Sequence, residues 1–293
     1  MAQITLMDGG LGQELVRRST DAPTPLWSTQ VMVDHPGMVA DIHRDFVAAG
    51  ARLHVTNTYA LHRDRLAGTP LEDRFSDLHR IALDETINAC AGHGRIAGSI
   101  GPLIASYRPD IHPDQATAVP LYAEVAQLLA PHVDLLIGET IASITHAKAV
   151  LEGARSTAKP VWLAMTVDDQ DGTRLRSGEP LADVIAIADG ASALLANCAA
   201  PEAMAAAMDV LATSDKPFGA YANGFTQITK DFLKDKPTVA SLRSRDIDPK
   251  TYTQFALGWA DQGATILGGC CEIGPAHIAH LATALGKAGH TIV

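Results

Sequence analysis

The chain has 293 residues, of which 47% are hydrophobic, enough for a large core and for one or two domains. Its formal charge is −10, from 23 basic and 33 acidic side chains with no basic run, which argues against nucleic acid as a partner. No apolar stretch reaches the roughly 18 residues of a membrane span, and "MAQITLMDGG" lacks the basic lead and apolar length of a secretory signal.

Eight short apolar runs follow one another along the chain: roughly 3–8, 52–57, 95–100, 134–139, 161–167, 192–197, 217–222 and 264–269. They are almost continuously apolar rather than alternating, as strands covered on both faces of a parallel sheet are. Helix-patterned stretches lie between them. Ile42, Phe46 and Val47 share a face and Gly50 follows as a stop; Asp77 to Ala91 repeats the pattern before Gly92. "PEAMAAAMDVLATSD" opens on Pro201, and "GPAHIAHLATALGKAG" opens on Gly274-Pro275. Eight evenly spaced strand–helix units predict an α/β fold, a single-domain (β/α)8 TIM barrel over residues 1–293. A doubly wound open sheet is the alternative. In such a barrel the functional groups belong to the loops after the C-terminal strand ends.

Those ends are rich in chemistry. The first strand leads into Asp8-Gly9-Gly10, the second into Asn57-Thr58-Tyr59, the fourth into Gly138-Glu139-Thr140, the sixth into Asn197-Cys198 and the eighth into Gly269-Cys270-Cys271. Three of the four cysteines therefore share one rim, while Cys90 lies in a helix and reads as a small core residue. So few cysteines and no signal peptide point to a reducing, cytoplasmic setting. The tandem pair in "GGCCEIGP" has four readings: a disulfide, plain burial, a redox pair, or two metal ligands. A bond between Cys270 and Cys271 would be strained, since adjacent Cα atoms are about 3.8 Å apart and relaxed disulfides need about 4.4–6.8 Å. Successive strand residues also point to opposite faces, so the pair reaches one ion only where the backbone leaves strand geometry, which the flanking glycines permit. With Cys198, three thiolates and one open position suit zinc. "GGLGQE" lacks the third glycine of a dinucleotide fingerprint, and the twelve histidines show no zinc-protease pair, most of them being expected at the surface.

"MDGGLGQEL", "NTY", "GSIGP", "GET", "NC" and "GGCC" with a following proline, in that order, resemble the homocysteine S-methyltransferase family over about residues 5–285. The resemblance implies a (β/α)8 barrel with Zn2+ held by Cys198, Cys270 and Cys271. It implies that Asp8 and Glu139 contact the homocysteine ammonium, and that backbone donors at Gly9 and Gly10 face its carboxylate. It implies methyl transfer from a small cationic donor, S-methylmethionine or a similar sulfonium, to the thiol of homocysteine, giving methionine. Transfer to another thiol or selenol, or a non-catalytic metal-binding barrel, are the rival readings. The partners are then small molecules alone, without nucleic acid or membrane. A sulfonium donor suits an aromatic lining, for which Trp27, Tyr59, Tyr107, Tyr221 and Phe225 are placed. The sequence departs from the family pattern at "YANGFTQI" and "SYRPDIHPDQ"; the long charged stretch 223–248 is expected to cover the site and tune the donor. The chain stops soon after its last helix, without the extension that betaine-using relatives use in oligomerisation, which argues against betaine.

Overall fold

A computed structural model describes residues 1–230, 233 and 245–293. All eight expected strands form: β1 (Gln3–Leu6), β2 (Leu53–Val55), β3 (Arg95–Ile100), β4 (Leu135–Ile141), β5 (Val161–Met165), β6 (Ala193–Asn197), β7 (Phe218–Ala222) and β8 (Ile266–Gly269). Each pairs in parallel with its sequence neighbour from β2 to β8, and β8 pairs with β1. A parallel bridge between Met7 and Leu53 closes the ring, with Arg52 N donating to Leu6 O at 2.7 Å and Asp8 N to Leu53 O at 3.0 Å. The expected closed barrel is therefore present. A ninth strand, β9 (Thr291–Ile292), adds to the outer side of β1 and had no sequence signal beyond two β-leaning residues.

The helices are α1 (Leu11–Ser19), α2 (Trp27–Asp34), α3 (Met38–Ala48), α4 (Arg63–Leu66), α5 (Phe75–Cys90), α6 (Gln115–Leu129), α7 (Ile144–Ala154), α8 (Ala182–Ile185), α9 (Pro201–Leu211), α10 (Pro249–Asp261) and α11 (Pro275–Lys287). Side-chain caps start three of them: Asp114 accepts from Thr117 N at 2.9 Å, Ser143 from His146 N at 3.1 Å and Asp248 from Thr251 N at 2.7 Å. Gly50 ends the turn after α3 at φ +102°, a conformation that favours glycine. The fifth unit is irregular. Its helix α8 is a single turn, because "DDQDGTRLRSGEP" before it is turn-forming and folds into a loop bridged at Val167–Leu175 and Arg174–Pro180.

Strand periodicity divides the core in two. Leu53, Leu135, Ile137, Trp162, Leu195 and Ile266 fill the barrel interior. Their strand neighbours, such as Leu136, Leu163 and Leu194, pack outward under the helices. Both faces are dry, which is why the strands read as unbroken apolar runs. No helix among the described residues is long and apolar enough to cross a membrane.

Most of the twelve histidines keep some exposure, as expected, but His43, His54, His62, His79 and His146 are buried. Aromatic packing accommodates part of this set. His146 of α7 stacks on His112 at 4.4 Å and on Tyr122 of α6 at 5.7 Å, while His62 meets Tyr122 edge-on at 6.0 Å. Burial pushes His62 down to about 3 and His146 well below the ordinary imidazole range. The unfolded chain, with imidazoles near 6.5, takes up protons there that the folded chain refuses. Stability is therefore full above pH 6.5 and lost as pH falls, by about 1.4 kcal/mol per pH unit for each such histidine. The buried carboxyls Asp8 and Glu139, both raised, act in the opposite sense. We expect the melting temperature to drop steadily from pH 6.5 to 5, and His146→Phe, which keeps the ring stack, to flatten the profile. A wild-type profile that is level across that range contradicts this.

Candidate functional site

The C-terminal strand ends open into a cavity of about 710 Å3, within the range of small-molecule sites. Asp8, Gly9, Gly10, Glu139, Cys198, Cys270 and Cys271 all line it. Every residue placed there from sequence is thus on one rim.

The three cysteines converge: one ligand atom from each of Cys198, Cys270 and Cys271 lies within 4.8 Å of the others. Backbone departures make this possible. Cys198 has φ +49°, so its side chain leaves the β6 direction, and its amide is held by Tyr221 O at 3.3 Å. Cys270 N donates to Ala222 O at 2.9 Å as β8 ends, and a turn then forms with Ile273 N bonded to Cys270 O at 3.1 Å and Glu272 at φ +66°. Cys271 N donates to Asn223 Oδ1 at 3.2 Å, and Gly224 N to Cys271 O at 2.7 Å. The tandem pair is therefore off strand geometry, as convergence requires. Cys198 and Cys270 are joined as a disulfide with Cα atoms 5.8 Å apart, and Cys271 is a free thiol. The bond spans the end of β7, between the ends of β6 and β8; it is not the strained vicinal one. The donor set fits a thiophilic cation once that bond is reduced: three sulfurs from two strand ends, with the cavity on their open side. Burial pushes the Cys271 thiol up to about 12 in the metal-free protein.

The carboxylates sit on neighbouring parts of the rim. Asp8 is buried, and its Oδ2 accepts from Val55 N at 2.9 Å. Glu139 is buried, with Tyr221 donating to Oε1 at 2.9 Å and Ser99 donating to Oε2. Burial raises both carboxyls above their ordinary range, Asp8 well above; the Val55 amide pulls Asp8 back and the two hydroxyls pull Glu139 back. The Glu139 charge lifts Asp8 further. An ammonium between them relieves both costs.

The glycines are close-approach positions. A Cβ on Gly10 would strike the Cys270 carbonyl, and one on Gly9 the Ile273 carbonyl. The Gly10 N–H already donates to Ile273 O at 2.9 Å. Of the two backbone donors expected to face a carboxylate, Gly10 is thus committed within the protein, and Gly9 is the one left for that part.

Of the five aromatics expected around the donor, Trp27, Tyr59, Tyr107 and Tyr221 line the cavity. Trp27 meets Tyr59 edge-on at 6.0 Å, and Gly12 lies against the indole so closely that a Cβ there would enter the ring. Phe225 is fully buried and is not part of the cavity wall, because the chain turns inward at Asn223 to hold Cys271. The "SYRPDIHPDQ" stretch does form wall, through Ser106, Tyr107, Arg108 and Ile111. Half of the 223–248 cover falls on residues outside the described ones.

Sequence reading missed the residues that hold the site in shape. Asn197 accepts from Thr140 N at 3.1 Å, fixing the Glu139 turn, where Thr140 has φ +55°. Asn223 holds Cys271, and Tyr221 and Ser99 hold Glu139. The available signal was position: Asn197 ends β6 and Asn223 directly follows β7, and each adjoins a site residue in sequence or space.

The family model for homocysteine S-methyltransferase matches residues 5–285. Homocysteine S-methyltransferase of Escherichia coli is 30% identical, over 95% of this chain and 94% of its own length. Crystal structures of the homocysteine methyltransferase MmuM from Escherichia coli superpose with a TM-score of 0.81 in the metallated form, at 25% identity over 96% of each chain. The oxidised form gives the same TM-score at 26% identity and the same coverage. With the family model matched over residues 5–285 and the fold and length shared, the chain belongs to the homocysteine S-methyltransferase family and is an enzyme of methyl transfer to homocysteine.

Proposed function

We propose that the chain transfers a methyl group from a small sulfonium donor, S-methylmethionine or a close analogue, to L-homocysteine at a zinc centre formed by Cys198, Cys270 and Cys271. The observation that carries this is the meeting of three cysteine sulfurs beside two buried carboxylates in one cavity. The solved MmuM structures include a metallated and an oxidised form, which supports a metal centre in this family and a site that responds to oxidation. When bound, zinc on three thiolates supplies the charge that ionises the substrate thiol while leaving its sulfur nucleophilic.

The protein's own residues do the rest. Asp8 and Glu139 grip the homocysteine ammonium, the Gly9 amide faces its carboxylate, and the molecule is thereby aimed with its sulfur toward the cysteines. The thiol proton leaves to water. The sulfur attacks the donor methyl in line: a new S–CH3 bond forms, the donor S–CH3 bond breaks, and its electron pair stays with a neutral thioether. Trp27, Tyr59 and Tyr107 present ring faces to the sulfonium and keep water out of the displacement path. No side chain is required as a base in that step. Few cysteines and the need for three reduced thiols support a reducing compartment as its working place.

A donor panel with homocysteine as acceptor tests the donor: S-methylmethionine, S-adenosylmethionine, betaine, dimethylsulfoniopropionate and methylfolate, read as methionine formed. S-methylmethionine is expected to lead; betaine or methylfolate in first place rejects the sulfonium assignment. Glu139→Gln tests the acceptor grip. Loss of one charged hydrogen bond should weaken homocysteine binding about 10- to 100-fold with metal content unchanged. Because the Glu139 carboxyl is raised by burial, acid imitates the substitution, so the wild-type KM for homocysteine should climb as pH falls and the variant's should not. Equal KM values at all pH would remove Glu139 from this role.

A further inference from the structure

A second set of metal-type donors lies behind the active-site rim, between the barrel and its helices. β2 alternates, so Leu53 and Val55 face the barrel interior and His54 faces outward. There it meets His43 of α3 and Cys90, the last residue of α5. One ligand atom from each of the three lies within 4.8 Å of the others, and all three residues are at most 1% exposed. The imidazole rings are 6.2 Å apart and nearly perpendicular, at 86°.

Hydrogen-bond accounting shows what this cluster lacks. The Thr86 hydroxyl donates its one proton to Ala82 O at 2.8 Å, so toward His43 Nε2, 3.1 Å away, it can only accept. With the hydroxyl proton so placed, the His43 tautomer that fits carries its proton on Nε2 and leaves a lone pair on Nδ1. That lone pair is buried, has no hydrogen-bond partner, and lies 3.8 Å from Asp8 Oδ2, another acceptor. Neither nitrogen of His54 makes a hydrogen bond of ordinary geometry among the described residues, although the His93 backbone lies close enough to favour its protonated form. Burial pushes His43 down to about 3 and His54 to about 4, which keeps both in the neutral form that ligates metals. A buried acceptor facing another acceptor, beside an unpaired imidazole and a thiol, calls for a cation.

We infer that His43 Nδ1, one nitrogen of His54 and the Cys90 sulfur form a second, structural metal site for a zinc-type divalent ion, separate from the rim cysteines. On binding, the Cys90 thiol gives its proton to solvent and its sulfur forms the metal bond; nothing is oxidised or reduced. The ligands come from α3, β2 and α5, so the ion pins two helices to the barrel beneath Asp8. The site does not depend on the rim chemistry, and its failure would leave the methyl-transfer proposal standing.

The test removes the rim ligands first. Cys198→Ser/Cys270→Ser/Cys271→Ser protein, confirmed folded by circular dichroism, is titrated with Co2+ and, separately, expressed with zinc and assayed for metal. One Co2+ per chain with a thiolate charge-transfer band, lost on adding Cys90→Ala, is expected, as is one zinc per chain. No bound metal, or a band that survives Cys90→Ala, overturns the site. His54→Leu in the otherwise wild-type chain gives an independent sign. If the histidine ligates, zinc content falls by one per chain and the melting temperature drops. If it is only an unpaired buried imidazole, leucine leaves the melting temperature level or raises it with metal content unchanged, and the inference fails.

Discussion

Cys198→Ala is expected to strip the rim metal and to lower methyl transfer roughly 10^3-fold or more. A free thiol near pKa 8.5 is only about 3% ionised at pH 7, so ionisation alone accounts for roughly 30-fold. Loss of the anchoring point for the sulfur removes orientation as well, which is worth more than the remaining factor. Cys198 is decisive because it alone of the proposed ligands comes from β6, two strands from the tandem pair after β8, and its φ of +49° is a conformation a non-glycine residue holds only where surrounding structure enforces it. Cys270 and Cys271 without it are two ligands on one turn. Metal analysis and single-turnover methionine formation on the folded variant check the prediction; full activity without rim metal would refute the mechanism.

Oxidation should silence the enzyme as completely and reversibly. Diamide takes two electrons and two protons from the thiols of Cys198 and Cys270, which sit with Cα atoms 5.8 Å apart, inside the relaxed range for a disulfide. The bond consumes two of three ligands, so zinc release and loss of activity should follow one time course. Peptide mapping should find Cys198 linked to Cys270 with Cys271 free, and dithiothreitol with added zinc should restore turnover. Full activity in protein carrying that crosslink would show that the rim sulfurs are not the metal ligands.

The barrel was legible because its strands are dry on both faces: "DLLIGE" and "SALLAN" can hardly be anything but buried parallel strands. The rim followed from asking what each strand ends in, and the structure gathers Asp8, Glu139 and the three cysteines around one cavity. Other features were not legible. Which amides are spent, as at Gly10, depends on how the β1 and β8 loops touch. The Cys198–Cys270 crosslink depends on positive φ values that no residue type announces. The buried histidines sit at helix–helix and helix–strand contacts, and imidazole occurs both inside and outside proteins, so its type alone says little about depth. The one-turn α8 was hidden by the regular spacing of the strands around it.

The Gly9 and Gly10 contacts have a further consequence. With no Cβ in the way, the loop bearing Asp8 lies directly on the loop bearing the tandem cysteines, bonded through Gly10 N to Ile273 O and Gly269 N to Asp8 O. In the proposed binding mode the two ends of the acceptor would be gripped by a rigid caliper, not by independent jaws. Cysteine, one methylene shorter, would touch either tip but not both, so selection among thiol amino acids would be a matter of ruler length built into the backbone.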